Sequence, residues 1–320
     1  MNCILLILLF IICIISIIVY RFYINIKDML NGAFLNKNYC NKQRCDIDNN
    51  LYPFQFKETI KKEWDSDVAI FCAQTIYLIE KAVLENKSII YPETFKKCKI
   101  INITTPDLFG IILIYQHQIY IFYRGTQTKQ EFKTDFNLQQ SLSLFSTTSS
   151  SQTKSTFLSN VKDLTLNPSV HRGFNDFYMI FRKQIIDTIK LYATTDTQII
   201  ISGHSLGAAI ALLTSIDLIS NFNYSNIIMY NFASPKVGDV IFADFVNKLV
   251  TDNKLIFYRI VNEDDIVPTF PFSVTPNIKN YNKPFIYAHC GVVKTFSATW
   301  LSILNNHLLP IYITYLPTIE

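Results

Sequence analysis

From Cys3 to Tyr20 the chain reads CILLILLFIICIISIIVY, 18 residues without a charge. That is the length at which a helix begins to span a hydrocarbon core of about 30 Å. The run predicts an N-terminal transmembrane helix at 3–20. A cleaved signal peptide followed by secretion is the alternative, but no Lys or Arg precedes the run and RFYINIKD after it offers no small-x-small cleavage site. Residues 21–60 mix Asn, Lys, Cys and Asp without periodicity and read as a tether to a domain at 61–320.

Within that domain the period changes from segment to segment. Val68, Phe71, Cys72, Ile76 and Ile79 recur at three-to-four spacing behind Asp65 and Ser66, which predicts a capped amphipathic helix. FGIILIYQ and IYIFYRG follow as β-rich runs, read as a hairpin turning at His117 and Gln118. Downstream the order is helix (175–193), strand (TQIIIS), helix (206–219), strand (NIIMYNF), helix (239–250) and strand (KLIFYRIV). Strands apolar on both faces alternating with helices predict an α/β architecture, a mostly parallel central sheet flanked by helices. In residues 141–160, twelve of twenty positions are Ser or Thr, too few apolar side chains to pack, so this stretch reads as a surface insertion.

Composition narrows the function. The chain is 49% hydrophobic and 17% charged with a net charge of +4, and no clustered basic run argues for nucleic acid. Its seven cysteines show no zinc-type pairing, and neither metal nor cofactor is expected. Cys40 and Cys45 are close enough to bridge, although free thiols are the simpler reading.

Glycine is scarce, eight in 320, yet Gly203-His204-Ser205-Leu206-Gly207 places two around one serine where TQIIIS meets a helix-forming AAIALL. At this composition about 0.01 such matches arise by chance, and the pattern is that of a nucleophile elbow, which lifts a serine hydroxyl into the open. A serine needs a histidine base oriented by a carboxylate, in the chain order Ser, acid, His. KLIFYRIV ends in Glu263-Asp264-Asp265 before Ile-Val-Pro; Asp265, beside the apolar residues, is the acid best placed for burial. Of five histidines only His289 and His307 follow it, and spacing alone does not choose between them.

FYRGT (122–126), VHRGF (170–174), ISGHSLGAA (201–209), YNFASPKVGD (230–239), VNEDDIVP (261–268) and a late His307-x-x-x-x-Tyr312 occur in one order. In this the chain from about residue 65 onward resembles the class 3, fungal-type triacylglycerol lipases. The resemblance implies an α/β-hydrolase fold with Ser205 as nucleophile, Asp265 as orienting acid, His307 as base and His289 as a structural residue. It also implies an oxyanion hole built from Thr126 and the N–H of Leu206, and a lid following Thr126, here within 127–165, where Phe132, Phe136 and Leu138 stand on a polar background. A plain surface helix is the alternative reading of that run.

The implied activity is hydrolysis of lipid esters at a membrane or lipid–water interface. Phospholipase A1 or galactolipase activity is the alternative within enzymes, and a catalytically silent binding module of the same fold is the alternative outside them.

Overall fold

The computed structural model describes residues 52–53, 55–105, 107–127, 139–142, 168–277, 280, 283–298 and 303–320. The expected membrane helix at 3–20, the Cys40–Cys45 pair and most of the expected lid and Ser/Thr-rich insertion lie outside these residues. Among the described residues, no helix is long and apolar enough to cross a membrane.

Helix α1 (Ser66–Glu85) begins where Asp65 accepts the Val68 N–H and ends at Asn86 in the left-handed region, which closes the last turn. β1 (Lys99–Thr105), β2 (Asp107–Tyr115) and β3 (Gln118–Tyr123) form an antiparallel meander. The turn falls at Gln116-His117, one residue earlier than the apolar pattern implied, with Gln116 at φ 51°. β4 (Gln140–Leu142) and β5 (Ser169–His171) make a small separate ribbon. The next helix, α2 (Arg172–Tyr192), starts three residues before the expected 175, because the His171 ring accepts the Phe174 N–H and caps it.

β6 (Gln198–His204), α3 (Leu206–Phe222), β7 (Ile227–Phe232), α4 (Val240–Thr251) and β8 (Leu255–Asn262) then alternate as predicted. Beyond them come a short β9–β10 pair (Val274–Thr275, Phe285–Ile286), β11 (Val292–Phe296), a helical turn α5 (Ile303–Asn306) and α6 (Leu309–Tyr315). The main sheet has the order β1-β2-β3-β6-β7-β8-β11, parallel from β3 onward.

Both faces of that sheet are covered, which is why its central strands are mostly apolar along their length. In β3, Ile119, Ile121 and Tyr123 face the layer of α2, α3 and α4, while Tyr120 and Phe122 face α1 and α6. Every residue of α3 from Leu206 to Ile219 is buried between the sheet and α2, as expected of a helix apolar all round. Packing also reaches back into the segment expected to be a tether. Ile60 is buried, its backbone is held by Gln198, and Phe56 stacks on Tyr115.

Candidate active site

Three parallel strands deliver their carboxyl ends to one place: β3 runs into Arg124-Gly125-Thr126, β6 into Ser205, and β8 into the loop of Asp265. Open α/β sheets build their sites at this edge.

Ser205 sits between β6 and α3 at φ 56°, ψ −123°, a backbone state that a residue with a side chain holds only at a cost of about 1–3 kcal/mol. A serine at a helix N-cap ordinarily turns its hydroxyl onto the helix's own N–H groups; here the side chain makes no such bond. Instead its Oγ lies 2.8 Å from His307 Nε2. The flanking glycines permit the turn by close approach. A Cβ on Gly203 would strike the Gly207 carbonyl, and one on Gly207 would strike the carbonyls of Tyr123 and Arg124. Gly207→Ala is therefore expected to destabilise the protein by about 1–3 kcal/mol or more, read as a lower melting temperature and a lower soluble yield.

His307 reaches the serine from the C-terminal segment. Its Nδ1 is 2.8 Å from Asp265 Oδ2, and because a carboxylate only accepts, Nδ1 carries the proton and Nε2 presents its lone pair to the Ser205 hydroxyl. Asp265 has no exposed side-chain surface. Its Oδ1 accepts the Val267 N–H at 2.9 Å, and its Oδ2 also accepts the Tyr312 hydroxyl at 2.7 Å. Burial, with the Asp265 charge beside it, pushes the Tyr312 hydroxyl well above its ordinary pKa and keeps it a donor. Asn262 Nδ2 donates to the carbonyls of Ala298 and Asn306, and Asn306 Nδ2 donates to that of Asp264. These bonds tie the end of β8 to the segment that carries His307.

The other candidates separate cleanly. His289 does not reach the serine; its Nε2 donates to the Pro268 carbonyl at 2.7 Å, bracing the loop of Asp265. Burial, reinforced by the Arg259 charge, lowers its pKa to about 3. The folded protein thus refuses a proton that the unfolded chain takes up near 6.5. The associated stability is present above about pH 6.5 and is lost as pH falls toward 3, by about 1.4 kcal/mol per pH unit for one proton. Urea midpoints between pH 7 and 4 should fall more steeply for the wild type than for His289→Gln. Of the neighbouring acids, Glu263 is exposed and Asp264 accepts the Ser297 hydroxyl at 2.9 Å.

The expected oxyanion side lies against the serine. Thr126 is buried, and a Cβ on the preceding Gly125 would come within 3.4 Å of Ser205 Cβ. Fully buried Arg124 pins this loop, donating to the carbonyls of Leu108 and Gly125 at 2.7 Å each. Leu206 opens α3, where the first N–H groups have no acceptor within the helix.

One residue escaped the motif reading. Glu80, on α1, is buried with its Oε1 2.9 Å from the Gly125 nitrogen and 2.7 Å from His204 Nδ1. The available signal was an acid four residues after Ile76 and next to Ile79, on a face otherwise apolar. Among the described residues no group of His, Cys, Asp and Glu is arranged to hold a metal ion.

A hydroxyl in contact with a neutral imidazole, itself backed by a buried carboxylate, can lose its proton as it attacks an electrophilic carbonyl.

The model of the family "Lipase (class 3)" matches residues 120–275, which hold Thr126, Ser205 and Asp265 but not His307. The secreted mono- and diacylglycerol lipase MDL2 of Malassezia globosa is 34% identical over 120 residues, 37% of this chain and 37% of that protein. Phospholipase A1-IIalpha of Arabidopsis thaliana is 27% identical over 238 residues, 64% of this chain and 49% of that one. Such matches span about a third to a half of the curated relatives' own length. Among solved structures, the Lip2 lipase of Yarrowia lipolytica superposes with a TM-score of 0.50 at 25% identity, covering 76% of this chain and 83% of that one. With an α/β-hydrolase sheet, a serine elbow at the end of β6 and a matching family model over 120–275, the chain resembles the class 3 lipases across its central segment.

Proposed function

We propose that the protein is a serine carboxylic-ester hydrolase acting on lipids. The observation that carries this reading is the continuous hydrogen-bonded series from Ser205 through His307 to Asp265 at the strained turn before α3. Ser205 attacks the ester carbonyl as His307 takes its proton. The N–H groups of Leu206 and Thr126 receive the oxyanion, each donor lowering the barrier by about 3 kcal/mol. His307 then protonates the leaving alcohol, and water, activated by the same imidazole, releases the acid. Asp265, held by Val267 and Tyr312, keeps His307 in the required tautomer throughout. No cofactor takes part.

The reaction belongs to a domain at 61–320. The apolar run at 3–20 anchors it to a membrane through the tether expected at 21–60, the end of which, at Phe56 and Ile60, packs on the domain, and residues 127–165 supply the lid and insertion. The 18 uncharged residues of that run favour the anchor; the relative named as secreted favours signal cleavage and release instead. Alkaline carbonate extraction separates these outcomes, since an anchored chain stays with the membrane pellet.

Two substrate readings remain in play, a neutral glyceride and a phospholipid cleaved at the sn-1 ester. The second is favoured by the long alignment with a protein named phospholipase A1. Vesicles and emulsions treated with wild type or Ser205→Ala should show Ser205-dependent release of fatty acid, with a diglyceride for the first reading or a lysophospholipid for the second. Absence of both products, together with no fluorophosphonate labelling of Ser205, would overturn the assignment.

A further inference from the structure

Beside the serine lies a second histidine–carboxylate pair. His204 immediately precedes Ser205, and its Nδ1 is 2.7 Å from Glu80 Oε1 while its Nε2 is 2.9 Å from the backbone carbonyl of His307. The same Glu80 oxygen accepts the Gly125 N–H at 2.9 Å. Both neighbours of the His204 ring are acceptors, a carboxylate on one side and a carbonyl on the other. With Glu80 ionised, two hydrogen bonds to acceptors require two ring protons, so this geometry is satisfied by the imidazolium and not by either neutral tautomer.

Each end of the pair touches a part of the proposed catalytic site. Glu80 holds the loop that carries Thr126, and that loop passes so close that a Cβ on Gly125 would lie 2.9 Å from His204 Nδ1. His204 is fused to the nucleophile on one side and holds the main chain of the base on the other, with its ring centroid 4.8 Å from that of His307. We propose, resting on the esterase reading of the site, that Glu80 and His204 are positioning residues. Their carboxylate–imidazolium pair keeps the Gly125–Thr126 loop and the His307 backbone in register with Ser205.

The surroundings favour the charged form. Burial alone would lower the His204 pKa, but the Glu80 charge and hydrogen bond, the His307 carbonyl and the more distant Asp265 charge together raise it. Facing the ring are Glu80 from α1, His307 and the Tyr312 ring from the C-terminal segment, and Asp265 from the loop after β8. Arg124, at the end of β3, gives its guanidinium to the carbonyls of Leu108 and Gly125.

The proton sign follows. Reaction needs His307 without its second proton and His204 with it. The rate therefore rises on leaving acid and falls again in alkali, where neutral His204 must release either Glu80 or the His307 carbonyl. In Glu80→Gln the amide oxygen can still accept both N–H groups, but the charge that retains the His204 proton is gone.

The test is the pH profile of fluorophosphonate labelling of Ser205, from pH 5 to 10.5, on the detergent-solubilised full chain, with a melting curve at each pH. Wild type should give a bell. Glu80→Gln should lower the maximum by about 10²-fold and move the alkaline limb acidward by about 1–3 units, leaving the acid limb in place. For a soluble ester kcat should fall while KM holds. A wild-type profile without an alkaline limb, or a Glu80→Gln limb that stays put while the rate or melting point drops, overturns the proposal in favour of a purely structural pair. If Glu80→Gln does not fold, the imidazole ¹⁵N spectrum of wild type at pH 8 decides. One of the five histidines doubly protonated supports the proposal; all five neutral overturns it. A wild type that is not labelled at any pH removes the esterase reading and this inference with it, a result distinct from labelling without the alkaline limb.

Discussion

Ser205→Ala is expected to lower kcat for a soluble ester by about 10⁶-fold while leaving the melting temperature close to that of wild type. The two halves of that result have separate causes. Alanine and serine both carry a Cβ, so the backbone strain at φ 56° is the same for each, and the serine side chain contributes no cap to α3 that alanine would forfeit. What disappears is the hydroxyl 2.8 Å from His307 Nε2, and with it the only proposed nucleophile. His307→Ala should cost nearly as much, and the double substitution should be hardly worse than either single one, because base and nucleophile act as a unit. The check is single-turnover and steady-state kinetics of the three variants beside their thermal unfolding curves. Losses that multiply in the double variant would mean that the two side chains act independently, contrary to the proposed mechanism.

Asp265→Asn should cost about 10⁴-fold in kcat with little change in KM. The bonds around the carboxylate explain why so small a change matters. One oxygen accepts the Val267 N–H while the other accepts both His307 and the Tyr312 hydroxyl. If the asparagine oxygen stays with Val267, its NH₂ meets His307 Nδ1, which must then present a lone pair. The ring proton moves to Nε2 and confronts the Ser205 hydroxyl, leaving no acceptor there. If the amide flips, its NH₂ faces the Val267 N–H instead, donor against donor. Neither orientation serves, so the neutral isostere is expected to fold and fail. Hydrolysis of a p-nitrophenyl ester across pH measures this, and activity within tenfold of wild type would remove Asp265 from its proposed role.

How far the sequence foretold this site depended on where each residue lies in the sheet. β3, β6 and β7 are buried on both faces and β8 nearly so, and all four read as mostly apolar runs. The edge strands β1 and β11 did not: KIINITT buries only Ile103 and VVKTF only Phe296, so neither carries a strand's full apolar signature. The elbow was legible because glycine was compulsory where backbone meets backbone. Asp265 was legible from its apolar neighbours, which bury it. His289 and His307 were not separable by spacing, because what distinguishes them is tertiary: Asn262 and Asn306 hold the C-terminal segment against β8, while the Pro268 carbonyl occupies His289. Glu80 lies 124 residues before its partner His204, beyond any local pattern. Only the folded chain makes them neighbours.

The backbone at Ser205 has an evolutionary consequence. Glycine would adopt φ 56°, ψ −123° without strain, so at this one position the most comfortable residue and the reactive one are different residues. Selection acting on foldedness alone would drift toward the first. On the proposed mechanism, loss of the demand for chemistry would therefore be written first at residue 205, as a glycine that relieves the turn.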